Sequence, residues 1–343
     1  MKILNTYEVL KSNYKINYTH SRGLRSISEC LLGTFRLKIA NEKKMVKDPN
    51  SIEFLTFSVL PALTSLWAWK LKNIDVLGLN SIIVGDCSGG LHNSSVINSS
   101  ERFPFLNYPH GEKLDFFLKN VCSSRYVVVC DDDIIWTSQE PLNYALNKFN
   151  SNSNLAVVSL VPSNKKSFWL SEKVKTTMGS YCIIIDRHKW LSENMTFRVV
   201  KPHGWREIGY YFDTADYANL RLHELGYDIN IAPKKIQKML IKFTGLSLWG
   251  LRIQNSFGNI DKIIRPRPNE YEKVYRVSKT LCEISMLCLE LDIVKQNMLI
   301  NKKYLLKARN LSKKHVSNKA MQRIDNKLED DILLLNSSVN NFL

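Results

Sequence analysis

Three adjacent carboxylates, Asp131-Asp132-Asp133, follow the run Arg125-Tyr126-Val127-Val128-Val129-Cys130. Like charges at the end of a buried segment are unfavourable unless a cation or hydrogen-bond donors neutralise them. The β-branched run fits a strand buried on both faces, as in parallel sheets. If strand geometry persists through the acids, Asp131 and Asp133 point to one face and Asp132 to the other. Two carboxylates on one face make a hard-oxygen site for Mg²⁺ or Mn²⁺, with positions left open for phosphate oxygens. The alternative is an acidic turn in which one Asp caps the helix that starts near Gln139.

Asp86 stands at the equivalent place after Ser81-Ile82-Ile83-Val84-Gly85. In open α/β sheets, ligands bind outside the carboxyl ends of the strands, near the switch point. Two strands that both end in Asp therefore point to one rim. For Asp86 alone, the competing reading is an Asx-turn after a strand.

The elements that must position these acids alternate along the chain. Phe54 to Val59 suits a strand, and Pro61 to Leu71 a helix with Pro in its first turn. After a polar loop from Cys87 to Glu101, His110 to Val121 carries apolar residues at a helical period. Leu155 to Leu160 and Tyr181 to Ile185 read as strands. Thr214 to Leu225 reads as a helix closed by Gly226, and Asp228 to Ala232 as a further strand. The alternation argues for a doubly wound α/β domain. Ahead of it, residues 1 to 50 form a basic lead-in with a helix expected from Ser28 to Met45, before the turn signal Asp48-Pro49-Asn50. Beyond it, from about Pro268, the pattern becomes helical, with an apolar face over Tyr271 to Met298 and a basic stretch from Lys302 to Arg323.

The chain has 343 residues and a formal net charge of +16, which favours anionic partners without choosing among them. Seven cysteines occur with no C-x-x-C pair, so neither a zinc site nor a disulfide framework is expected, and a reducing compartment is the simpler assumption. Met1 to Tyr14 lacks a continuous apolar stretch of the signal-peptide kind. The most apolar segment, Phe54 to Trp69, is shorter than the ~20 residues that span a bilayer. The expectation is a cytoplasmic protein, soluble or peripheral at a membrane.

The segment from His110-Gly111-Glu112-Lys113-Leu114-Asp115 through Asp131-Asp132-Asp133 resembles GT-A glycosyltransferases, particularly those like family 2. There, a strand ends in a D-x-D motif, and an earlier strand ends in an Asp that contacts the nucleotide base, the place of Asp86 here. The resemblance implies that Asp131 contacts ribose or metal and that Asp133 binds the metal on the diphosphate. It places Asp132, Lys113 and Asp115 among the nucleotide-sugar contacts; for Lys113 the other reading is a solvated helix face. Met178 to Arg187 resembles the family's strand entering the acceptor region. Asp213-Thr214-Ala215-Asp216 through Arg221-Leu222, followed by Gly226-Tyr227, resembles its E-D-x-D-L-x-x-R-L segment, which carries the base. Thr214 replaces the usual Asp, so the base is open between Asp213 and Asp216; the alternative for both is helix N-terminal acids favoured by the macrodipole. The later His that many such enzymes add to the metal is missing from Lys242 to Trp249. His203 is the nearest polar candidate, and Trp205 and Tyr210 could stack on a sugar.

The resemblance covers roughly residues 51 to 250. It implies a GT-A type mixed sheet flanked by helices over 51–267, with a helical C-terminal extension over 268–343. It also implies an inverting, metal-dependent transfer from a nucleotide-diphosphate sugar to a hydroxyl on a glycan or lipid-linked acceptor, in glycan or polysaccharide synthesis. A sugar nucleotidyltransferase uses similar sheets and carboxylate-bound Mg²⁺, but Val59-Leu60-Pro61-Ala62 offers no Gly-rich basic loop. A non-enzymatic polyanion binder is the third reading. Nucleic acid is not expected, because no basic patch interleaved with aromatics is seen. The basic stretch Lys302 to Arg323 suits either contact with an anionic membrane or a solvated helix face.

Overall fold

The computed structural model describes residues 23–39, 51–74, 79–162, 174, 176–201, 212–263 and 268–337. His203, Trp205, Tyr210 and the turn signal at residues 48–50 lie outside the described residues. The helix expected from Ser28 starts earlier, and α1 is described over Gly23–Ile39.

A seven-stranded mixed sheet forms the centre. Its strands are β1 (Ile52–Ser58), β2 (Leu79–Asp86), β3 (Arg102–Pro104), β4 (Tyr126–Cys130), β6 (Leu155–Ser159), β7 (Cys182–Asp186) and β8 (Asp228–Ile231), in the order β3-β2-β1-β4-β7-β6-β8. β1, β2, β3 and β4 run parallel, β7 runs against β4 and β6, and β8 is parallel to β6. A second, two-stranded sheet joins β5 (Ile134–Trp136) to β9 (Leu240–Lys242).

The period-2 expectation for β4 holds through Cys130. Tyr126, Val128 and Cys130 enter one apolar cluster, and Val127 and Val129 enter another on the opposite face. The second face is covered by α3 (His110–Asn120), α5 (Arg187–Ser192) and α6 (Asp216–Glu224). The first face is covered by α2 (Pro61–Lys72), α4 (Glu140–Ser151), α8 (Leu246–Asn255) and α9 (Pro268–Glu290). A short helix, α7 (Lys234–Gln237), precedes β9.

The C-terminal helices share this core. Val274, Val277, Leu281 and Ile284 of α9 join Leu63 and Leu66 of α2 in one buried cluster. α10 (Lys302–Lys313) and α11 (Asn318–Ser337) complete the region, and the buried Lys70 ammonium donates to the Leu335 carbonyl near the end of α11. Among the described residues, no helix is long and apolar enough to cross a membrane.

Register sets the rim. Ser58 lies beside Asp86, and Leu55 lies beside Val129, so the segments after β1, β2 and β4 open at the same sheet edge. β7 runs the other way and begins there, directly after Tyr181.

Candidate functional site

β4 ends at Cys130, and the acids that follow form a turn. The Asp131 amide donates to the Tyr181 carbonyl at 2.8 Å, and the Ile134 amide returns to the Asp131 carbonyl at 3.1 Å. The expectation that strand alternation carries through the acidic run is therefore corrected. The antiparallel pairing reaches Asp131 alone, Asp132 and Asp133 already lie in the turn, and each carboxylate has its own surroundings.

Asp132 is buried. Its carboxylate accepts from the Thr64 hydroxyl of α2 at 2.7 Å and from the Ser247 hydroxyl of α8 at 2.9 Å. Asp133 is also buried, and its Oδ2 accepts from the Gly245 amide at 2.8 Å and the Leu246 amide at 3.0 Å. Those amides are unsatisfied helix N-terminal donors, so Asp133 caps α8 from across the structure. Neither residue caps the helix after Gln139, which makes no side-chain cap. Gly245 presents both amides through a φ of 77°, a left-handed conformation that disfavours other residues. Asp131 is partly exposed, and among the described residues no donor hydrogen-bonds to its carboxylate.

Burial dominates the acidity of all three. It raises the Asp131 carboxyl well above its ordinary range, with the Asp133 charge the next cause. It lifts Asp132 to about 7, against the opposing Thr64 hydrogen bond, and Asp133 to about 6, against the Leu246 and Gly245 amides. The turn holds more negative charge than its own donors satisfy.

Lys113 is buried, not on a solvated helix face as the alternative reading had it. It donates to Asn107 Oδ1 at 2.7 Å, lies over the Phe57 ring at 4.7 Å, and its charge favours ionisation of Asp131 and Asp132. The first turn of α3 is fixed by Gly111, where a Cβ would overlap the Phe197 carbonyl oxygen. That close approach explains the glycine at the opening of the helix. His110 beside it is held neutral, its pKa lowered to about 3 by burial and then by Lys113.

Two expected donor contacts are engaged elsewhere. Asp86 sits at the rim, but its carboxylate is fully buried and accepts from five donors. Oδ1 takes the Ser88 amide and hydroxyl and the Gly89 amide, and Oδ2 takes the Leu91 amide and Arg102 Nε at 2.7 Å. It builds the loop after β2. The Ser88 amide on Oδ1 is the contact that the Asx-turn reading expects. Asp115 accepts from the Thr196 hydroxyl and from the Phe197 amide at 2.8 Å, and meets Arg198 at 3.4 Å. It fastens the segment before residue 202 to α3 and is not gathered with the acidic turn.

The second acidic pair stands where α6 begins. Asp216 Oδ2 accepts from the Asp213 amide at 3.0 Å, and Asp213 Oδ1 accepts from the Thr214 amide at 2.8 Å. Between them Ala215 takes a φ of 73°. Burial raises the Asp216 carboxyl, the Asp213 amide opposes this, and the Asp213 charge adds to the rise. Tyr181 links the two halves: its phenol is raised by burial and then by the charges of Asp131, Asp213 and Asp216. Sequence reasoning missed Tyr181, Thr64 and Ser247. The segment Lys242 to Trp249, which lacks the later His of the family it resembles, supplies two amides and a hydroxyl to the turn.

Asp131, with no donor among the described residues, and Asp133, whose two amide donors both meet Oδ2 and whose charge reaches Asp131, are hard-oxygen groups that fit a divalent cation. Among the described residues no three such side chains converge, so the remaining ligands would be phosphate oxygens and water.

No protein-family model matches the chain, and no curated protein matches it. Among solved structures it is similar to the mannosyltransferase PcManGT from Pyrobaculum calidifontis in complex with GDP-Man and Mn²⁺. That similarity has 10% sequence identity, covers 95% of this chain and 97% of that one, and has a TM-score of 0.38.

Proposed function

We propose that the chain is a metal-dependent glycosyltransferase that moves a sugar from a nucleotide-diphosphate donor to a hydroxyl acceptor with inversion. The observation that carries this reading is the acidic turn, where Asp131 and Asp133 crowd together with too few donors, beside buried Lys113. Asp131 and Asp133 would hold Mn²⁺ or Mg²⁺. When bound, the ion neutralises charge on the leaving diphosphate. Lys113 adds a fixed positive charge at the same rim. Asp132, tied to Thr64 and Ser247, sets the turn and keeps the two ligating carboxylates in place.

Asp213 or Asp216 would take the acceptor's proton. Asp216 is the better base on chemistry, since its raised carboxyl binds the proton more firmly. Tyr181 stands in the field of both acid groups and suits orientation of the acceptor between them. A single base opposite the leaving group suits in-line attack, and a product of retained configuration would overturn the inverting assignment. The proposed setting is glycan or polysaccharide synthesis in the cytoplasm, and the seven free, buried cysteines suit a reducing compartment.

The test is a thermal-shift panel of nucleotide diphosphates and nucleotide sugars with and without Mn²⁺. One nucleotide should stabilise the protein only with metal, and Asp133→Asn should abolish that response. No response to any nucleotide diphosphate would overturn the reading.

A further inference from the structure

A cavity of about 480 Å³ lies between β9, α9 and α11. Five cations line it, Lys242, Lys273, Arg276, Arg323 and Lys327, against two carboxylates, Glu272 and Asp331. Both carboxylates are already committed: Arg323 pairs with Glu272 at 3.0 Å, and Lys327 with Asp331 at 2.7 Å. Among the described residues, no carboxylate lies within ion-pair distance of Lys242, Lys273 or Arg276. Arg276 gives one hydrogen bond to the Thr244 carbonyl at 2.7 Å, leaving further guanidinium donors.

Three cations without an ion-pair partner, of which Arg276 alone feels the Asp133 charge, repel one another around one hollow. Burial also holds Lys242 and Arg276 below their ordinary pKa values, and Lys327 lowers Lys242 further. An anion with several acceptor oxygens would relieve both effects. The wall of the cavity includes Lys242 and Phe243, and the chain runs from there straight to the Gly245 and Leu246 amides that hold Asp133. Arg276 itself lies within the field of Asp133.

We propose that this cavity binds a phosphate-bearing ligand through Lys242, Lys273 and Arg276, as a site separate from the acidic turn. The ligand carries one or two phosphate groups. Under the sugar-transfer reading, which gives the donor diphosphate to the acidic turn, it is a phosphorylated acceptor.

Inorganic pyrophosphate is the probe, titrated calorimetrically into the full chain in EDTA, so that the metal site takes no part. The wild type should bind it. Lys242→Gln/Lys273→Gln should weaken binding at least tenfold, while Lys242→Arg/Lys273→Arg and the surface control Lys234→Gln bind as the wild type does. Amine footprinting of the wild type gives a measure free of any variant: pyrophosphate should protect Lys242 and Lys273 and leave Lys234 reactive. Absence of binding, equal binding by the double Gln variant, or no selective protection overturns the proposal. Once binding is established, simultaneous binding of GDP or UDP supports a phosphorylated acceptor, and displacement by either overturns the assignment of a separate site. Because the probe works without metal or nucleotide, this site and the sugar-transfer reading can fail independently.

Discussion

At the scale of single residues, the acidic turn holds three carboxylates at a cost in stability, which a cation would offset under the proposed function. In the metal-free protein, Asp133 at about 6, Asp132 at about 7 and the raised Asp131 bind protons more tightly than the unfolded chain, where the ordinary value is 3.8. Such raised groups contribute stability that is fully present below about 3.8 and is lost as pH rises through about 6 and 7. His110 works in the opposite direction. Its lowered value contributes stability present above 6.5 and lost as pH falls towards about 3. The metal-free melting temperature should therefore fall between pH 5 and pH 8, and the fall should be smaller in Asp131→Asn. Saturating Mn²⁺ should remove most of it in the wild type alone. Asp133→Asn keeps an oxygen for the Gly245 and Leu246 amides and removes one charge. It should lose the metal response while melting no lower than the wild type at pH 8. The candidate base has a similar tension. Ala215 sits at a positive φ between Asp213 and Asp216, and Ala215→Gly should stabilise the fold by about 1 kcal/mol in a denaturant titration.

At the scale of elements, the sequence disclosed more than it concealed. β4 was legible because five consecutive residues are buried and alternate between two apolar clusters, which a β-branched run announces. The helix starting at His110 and the strand ending at Asp86 were legible for similar local reasons. What lay hidden was the fate of each polar atom. Nothing near Asp86 in sequence says that Arg102 will close on it, and nothing near Asp115 says that Thr196 and Phe197 will. The alternation expected of Asp131 and Asp133 needs continued pairing, and that pairing reaches Asp131 but not Asp132 and Asp133, which lie in a turn. Gly111→Ala tests the α3 start. Its Cβ has no room against the Phe197 backbone, so the variant should lose about 1–3 kcal/mol in chemical denaturation. It should also weaken nucleotide binding by displacing Lys113.

At the scale of the whole molecule, the site depends on parts remote from one another in the chain. The helices after residue 268 share one core with α2. A chain ending at residue 267 should therefore expose that apolar face and fail to give a soluble, cooperatively melting protein, as size-exclusion and calorimetry would show. The clasp on the acidic turn has a temporal side as well. Asp133 waits for amides 112 and 113 residues further on, and Asp132 for a hydroxyl 115 residues further on. A ribosome that has delivered β4 but not α8 holds a nascent chain whose three acids have no caps from α8. Closure over such a separation is slow compared with local helix formation. The donor half of the site should be among the last features to mature during synthesis, with recovery of metal binding lagging the burst of secondary structure in refolding.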